Sequence, residues 1–443
     1  MNDWTDAETR IERAQKLAEL RKWSEALGEL DAAIAINPND PLWHAHRGQL
    51  LDQLERYDEA IEAYGGALAM LPDQIEIQAA MGVDLIRVGQ YEKAIEHFGE
   101  LSKTDPDFEP AYCNRIAAYT RTGEHDRAEE MFYLAQQVNP DCPNCFHHIA
   151  ESLACRSLYE RAIYCWKRCL EIEPDYPQAR EHVAEAYRAL DQYNEAEEFY
   201  LAALRRDPGN IEILGELGDL LVEKDELASA ASKFRHILDL DPDSVRAHIM
   251  LGLILSHQGD LDSAVSHFES ALALDEDHLG LRSHLGEAEL RRGNHYTALR
   301  HLKLAIEKEP DDLIGHVAMG NCLLELSRSP EAKEHFERAI ELDSTLVSVH
   351  HNLAVCHFME SDFERGIQNC LDALAVDSDN VLAMHKLALA YVHLGRWSEA
   401  VGMIDRGLAA APEHEGLTSL KRRLWWKRIR HFVSALLPRN FRG

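Results

Sequence analysis

Seven prolines, Pro38, Pro72, Pro106, Pro140, Pro174, Pro208 and Pro242, stand 34 residues apart. The same phase continues through Glu276, Pro310, Ser344, Ser378 and Pro412, so the spacing holds for twelve units without an insertion or deletion. A period of this length specifies an array in which each unit packs on its neighbours, rather than one closed core. Three further columns keep the phase. Ala26, Ala60, Ala94, Ala128, Ala162, Ala196, Ala230, Ala264, Ala298, Ala332, Gly366 and Ala400 lie twelve residues before the proline column. A second small column includes Ala14, Gly48, Gly82, Gly218, Gly252, Gly286 and Gly320, and Ile116 interrupts it. Large side chains, among them Tyr64, Phe98, Phe132, Trp166, Tyr200, Phe234, Phe268 and Phe336, follow the alanine column by four residues.

Within each unit, apolar residues recur at three- and four-residue spacing, as in Leu251, Leu255, Leu261, Val265, Phe268 and Leu272, which predicts two amphipathic helices. Gly89, Gly123, Gly259, Gly293 and Gly395 interrupt the pattern in mid-unit, where a helix C-cap belongs. Pro41, Pro110, Pro143 and Pro177 fall where a following helix should begin, and Pro330 follows Ser329 at the start of a second helix.

A 34-residue helix–turn–helix with these small, aromatic and proline columns resembles the tetratricopeptide repeat (TPR) family. The resemblance implies an all-α fold, a right-handed α-solenoid with its concave wall built from the first helices. The expected organisation is a lead-in over residues 1–6 and twelve units over 7–414, starting at 7, 41, 75, 109, 143, 177, 211, 245, 279, 313, 347 and 381. Residues 415–443 follow as a basic amphipathic helix and tail.

No glycine-rich phosphate loop or dinucleotide fingerprint occurs in the array. An extended repeat surface is not a closed pocket, so no catalytic residue, cofactor or metal is expected. The chain carries 46 Lys+Arg against 77 Asp+Glu, a net charge of −31, which argues against phosphate-backbone binding and hence against nucleic acid. The N-terminal residues lack a charged-then-apolar leader and no run is long enough to span a membrane, so the expected location is cytoplasmic. Nine cysteines, an odd number, fit reduced thiols.

The resemblance places the concave wall at the second, fifth, sixth, ninth, twelfth and thirteenth positions of each unit. Units five to seven then present Glu151, Glu181, Glu185, Glu212, Asp219 and Glu223 against Arg188, an acidic groove attractive to a basic segment. Units ten to twelve present Ile314, Val317, Leu324, Val355, Phe358, Met359, Leu382, Leu389 and Val392, with Asn321, Asn352 and Lys386 among them. Apolar side chains around amides that both donate and accept suit an extended peptide. In TPR proteins that clamp a terminal carboxylate, Asn321, Asn352 and Lys386 match three of the clamp places, whereas Val317 and Leu382 occupy its lysine places. The expected partner is therefore an extended segment of another protein, held by a non-enzymatic scaffold.

Cys142-Pro-Asn-Cys145, with Cys165 and Cys169, has a spacing that suggests zinc ligation. The repeat phase separates these positions, placing Cys165 along a second helix and Cys169 in a buried column. Cys113 and Cys155 fall on the concave wall. Ordinary thiols are expected, with a metal- or redox-responsive module as the weaker alternative. The 24 histidines are roughly twice the usual share. His46, His148, His182 and His284 share the sixth position, a polar place that tolerates half burial and where successive rings could stack along the wall.

The tail holds Lys421, Arg422, Arg423, Lys427 and Arg428 around Trp425 and Trp426, eight Lys or Arg in all against Glu415 alone. Residues 1–414 therefore contain 38 bases and 76 acids. The terminal helix is expected to cover the last apolar face of the array. Its cations and paired tryptophans also suit an anionic membrane surface, the alternative being an assembly platform peripheral to the inner face of a membrane.

Overall fold

The computed structural model describes residues 2–436, with side chains placed for 6–426. Among the described residues the chain is helical throughout, without a strand. It divides into two compact bodies, Met1–Asp225 and Glu226–Gly443. The first contains α1 (Asn2–Glu19), α2 (Trp23–Ile36), α3 (Pro41–Gln53), α4 (Tyr57–Met70), α5 (Ile75–Arg87), α6 (Tyr91–Thr104), α7 (Glu109–Thr122), α8 (His125–Val138), α9 (Pro143–Cys155), α10 (Tyr159–Ile172), α11 (Ala179–Ala189), α12 (Tyr193–Leu204) and α13 (Ile211–Glu223). The second contains α14 (Leu227–Leu240), α15 (Val245–Gln258), α16 (Leu261–Leu274), α17 (Leu281–Arg291), α18 (His295–Lys308), α19 (Leu313–Glu325), α20 (Ser329–Leu342), α21 (Val347–Met359), α22 (Phe363–Val376), α23 (Val381–His393), α24 (Trp397–Ala410) and α25 (Glu415–Leu436). Within each body, consecutive helices pack pairwise and each pair stacks on the next, an α-solenoid arrangement.

The periodic columns are the packing seams. Tyr64, Phe98, Tyr200, Phe234, Phe268 and Phe336 are fully buried, and the alanine column is buried with them. The rings of Tyr64, Phe98, Phe268 and Phe336 occupy the space above Gly48, Gly82, Gly252 and Gly320 of the preceding helix. A Cβ on Gly320 would stand 2.6 Å from the Phe336 ring, closer than van der Waals contact allows. Burying one such ring stabilises the fold by about 1.5–3 kcal/mol.

The turn inside each pair passes through a left-handed residue. Gly89, Gly123, Gly259, Gly293 and Gly395 hold this conformation as expected, but so do Arg21, Glu55, Ser157, Asp191, Asp225, Ser327 and Ser361. Side chains cap many first helices. The Asp40 carboxylate accepts from the Leu42 N–H at 3.0 Å, and Asn210, Ser244, Asp312 and Asn380 act alike on α13, α15, α19 and α23.

Two boundaries differ from expectation. Helix α1 starts at Asn2, so residues 2–6 lengthen the first helix. Helix α11 starts at Ala179 because Gln178 is left-handed, which leaves Pro177 in the preceding turn.

Part of the histidine excess has a structural origin that position six does not reveal. His44, His248, His316 and His350 occupy the fourth position, and each Nε2 bonds the carbonyl six residues earlier, at 2.9, 3.2, 3.0 and 2.9 Å. Gln78, Tyr112 and Arg180 donate to the equivalent carbonyls in their units. These bonds satisfy a loop carbonyl at the junction between successive helix pairs.

Candidate functional site

First helices α17, α19 and α21 lie side by side in the second body. Between them runs a groove of about 600 Å³, lined by Leu313, Ile314, Val317, Leu324 and Leu346, with Asn321 and Asn352 on its floor. The Asn352 side-chain amide donates to the Asn321 Oδ1 at 2.7 Å. That bond uses one donor of Asn352 and the oxygen of Asn321. The Asn321 amide nitrogen and the Asn352 oxygen keep hydrogen-bonding capacity for an added backbone. Glu287, Arg291 and Glu325 stand at the rim, and Glu325 is bonded to the His295 Nε2 at 2.7 Å.

Five of the twelve peptide-site residues expected from sequence, Ile314, Val317, Asn321, Leu324 and Asn352, thus meet in one groove. The other seven lie outside its lining. Met359 and Leu389 are exposed, and Val355 and Lys386 are half-buried. Lys386 is near enough to His351 to add to the burial that lowers that imidazole's pKa. Phe358 turns into the α21–α22 seam, its ring 6.0 Å from that of Phe363 and pressed on Gly366. Its role is packing, because Cys370 stands in the aromatic column of this unit and leaves the seam unfilled.

The acidic residues are largely engaged by their own neighbours. Glu223 pairs with Arg188 at 2.6 Å, and Arg188 also holds Glu216 at 3.0 Å. Glu151 lies 3.1 Å from His148, 3.8 Å from His147 and 3.6 Å from Arg121. Burial tends to raise its pKa, but these partners outweigh burial and lower it. Glu185 lies 3.4 Å from His182. Asp219 is half-buried and bonded within the fold. Glu181 and Glu212 have no ion-pair partner among the described residues, so the acidic attraction of this face is weaker than its composition implies.

Stacking along the wall involves His147 rather than His148. Its ring lies 5.6 Å from His182 and 4.8 Å from Tyr176, while His182 stacks on Trp166 at 5.2 Å. Burial pushes the His147 imidazole down to about 4.

The cysteines assemble differently from the expected grouping. Cys165 and Cys169 do not join the ligand cluster at the C-x-x-C turn, although Cys169 is near enough to Cys142 for its charge to be felt. Cys142 and Cys145 are joined instead by Cys113 and Glu109, their ligand atoms all within 4.8 Å of one another. The signal was present in the period: Glu109 precedes Pro143 by 34 residues, so the first turns of α7 and α9 lie side by side. Burial among these thiols raises the Glu109 carboxyl to about 7.

At the C-terminal end, Leu417 and Leu420 are buried against Ala388 and Ile404, with Leu424 beside them. Lys421 bonds Asp405 at 2.7 Å. Arg422 and Arg423 are exposed, and Trp425 and Trp426 remain 59% and 64% exposed, their rings 5.2 Å apart. The side chains of Lys427 and Arg428 lie outside the described residues. No helix among the described residues is long and apolar enough to cross a membrane.

Models described as tetratricopeptide repeat match residues 11–75 and 216–278, 53–112 and 255–319, and 383–416. A model of YpiA-like C-terminal tetratricopeptide repeats matches 177–244. No curated protein matches the chain. Among solved structures, it is similar to a chain of the APC/C hetero-tetramer Cut9–Hcn1, at 14% identity and TM-score 0.50, covering 93% of this chain and 95% of that one. Yeast Tom70 aligns at 15% identity and TM-score 0.42, covering 89% and 97%. YrrB, described as a TPR protein with an unusual peptide-binding site, aligns at 22% identity and TM-score 0.35, covering 42% and 96%.

Proposed function

We propose, since this chain belongs to the tetratricopeptide repeat family, that it is a non-enzymatic scaffold holding an extended segment of a partner protein in the groove of α17, α19 and α21. The observation that carries this reading is the Asn321–Asn352 pair in an apolar groove. Two amides on neighbouring first helices keep donors and an acceptor for the N–H and C=O groups of an extended backbone. The flanking Ile314, Val317 and Leu324 accept its apolar side chains. With Val317 and Leu382 in the lysine places of a carboxylate clamp, recognition falls on the body of the segment rather than on a terminal carboxylate.

Panning a random peptide library on the full-length chain tests this. The reading predicts enriched peptides rich in apolar residues, whose binding is lost in Val317→Asp with the helical circular dichroism unchanged. Peptides that bind Val317→Asp as well as the wild type would place the site elsewhere.

A second reading rests on the exposed Trp425–Trp426 pair. Capping uses Leu417, Leu420 and Leu424 and leaves both indole rings in solvent beside Arg422 and Arg423. Indoles next to cations suit the interfacial zone of an anionic membrane, which would make the chain a surface-associated platform.

A further inference from the structure

Between α7 and α9 a buried cluster of thiols surrounds a carboxylate, and scaffolding gives it no role. Cys113, Cys142 and Cys145 are all buried. The Glu109 Oε1 lies 3.0 Å from the Cys142 Sγ and 2.9 Å from the Cys145 Sγ. No Lys or Arg pairs with Glu109 among the described residues, so nothing basic offsets its charge. We propose that Glu109, Cys113, Cys142 and Cys145 form a tetrahedral site for a thiophilic divalent cation of the zinc class, which staples the first turn of α7 to the first turn of α9.

The donor set and its spacing both favour this assignment. Three sulfurs and one carboxylate oxygen select zinc over magnesium or calcium, which take oxygen donors alone. With metal–sulfur bonds near 2.3 Å, tetrahedral sulfurs stand about 3.8 Å apart. The four donors already lie within 4.8 Å of one another. The two short carboxylate–sulfur contacts open by about half an ångström to admit the ion.

The local backbone suits thiolates as well. Cys142 is the N-cap of α9, and the Cys145 N–H donates to its sulfur at 3.1 Å. Helix N-termini favour negative charge, and such N–H···S bonds orient a ligating sulfur. Binding replaces the thiol S–H bonds with metal–sulfur bonds and releases three thiol protons to solvent, together with the carboxyl proton wherever Glu109 is neutral, with no change of oxidation state. A regulatory disulfide between Cys142 and Cys145 fits less well. Both sulfurs are buried, at 3% and 0% exposure, out of reach of an exchanging thiol. It would also leave Cys113 and Glu109 without a role. Glu109, the half-exposed member, marks the entry path for a small ion.

The test is a cobalt(II) titration of the full-length, reduced protein. One equivalent should bind with a thiolate-to-cobalt charge-transfer band and the intense visible bands of a tetrahedral ion, and zinc should displace it. Cys113→Ser and Cys145→Ser should each diminish the thiolate band, since two sulfurs remain, and weaken binding by more than about a hundredfold. The double variant Cys165→Ser/Cys169→Ser should keep both, with circular dichroism checking that every variant is folded. Lack of the band in the reduced wild-type chain would overturn the proposal without reference to any variant. A folded Cys113→Ser that binds cobalt with wild-type affinity and an undiminished band would overturn it as well. The site lies outside the peptide groove, so either result leaves the Val317→Asp test unaffected.

Discussion

Phe358 presses its ring onto Gly366 so closely that a Cβ on Gly366 would collide with it. In this helix pair the usual relationship is reversed: the ring comes from the first helix and the small residue from the second. Gly366→Ala should therefore destabilise the protein by about 1–3 kcal/mol through overpacking. Phe358→Ala should relieve most of that penalty in the double variant, because the collision disappears. Urea denaturation of the three variants measures the coupling, and strictly additive losses would contradict it.

That reversal marks how far the sequence could be followed. Proline, alanine and aromatic columns expose the helix pairs and their seams because each seam recurs every 34 residues. A groove position was legible where its neighbours follow the columns, as at Asn321 and Asn352. It was misleading at Phe358, because Cys370 vacates the aromatic place and a residue from the other helix fills it. Glycines show five of the mid-pair turns. Arg21 and Glu55 reach the same left-handed conformation without that signal, held there by the packing of the pair. The partners of Cys142 lie one period back in sequence, where spacing along a single helix does not point.

The His316 and His335 rings face each other, Nδ1 to Nδ1, at 3.0 Å, and His248 and His267 repeat the arrangement. Burial, and then the partner ring, lowers the pKa of both His335 and His267. Burial likewise lowers His284 and His301. Such groups bind protons less readily in the fold than when unfolded, where they titrate near pH ~6.5. Their contribution is therefore present above ~6.5 and is lost as pH falls below it. Thermal melts should show the midpoint dropping from pH 7.5 to 5.5 (both about one unit from that value). His335→Gln should shrink the drop. An unchanged drop in that variant would exonerate the pair.

Asp84 has the opposite sign. It is buried on α5 beside Asp52 and bonded to Arg87 at 3.1 Å. Burial, and then the Asp52 charge, raises its carboxyl to about 7. Since the unfolded group ionises near pH ~4, stability should decline as pH rises from there to about 7 and stay reduced above it. Asp84→Asn should raise stability by roughly 1–3 kcal/mol at pH 8, a window in which wild-type Asp84 is ionised. Its effect should be smaller at pH 5 (about one unit above the unfolded value). Equal effects at both pH values would show that ionisation is not the cause.

Removing residues 415–443 should expose Ala388 and Ile404 and cost the burial of Leu417 and Leu420, about 1.5–3 kcal/mol for each leucine. Trp425→Ala/Trp426→Ala keeps those leucines and should fold normally. If the exposed indoles contact membranes, sedimentation with anionic vesicles should fall in this variant while neutral vesicles show no difference. Equal sedimentation of wild type and variant would end the membrane reading and leave the tail as a cap.

If Asn321 and Asn352 hold a partner's backbone, calorimetric titration of a panned peptide against wild type and Asn321→Ala/Asn352→Ala reads the loss of that hold. Each lost hydrogen bond between neutral groups is worth about 0.5–1.5 kcal/mol. The double variant should therefore bind roughly 5- to 150-fold more weakly, with its melting profile retained. Equal affinity of the two proteins for the same peptide would show that these amides do not hold the partner's backbone.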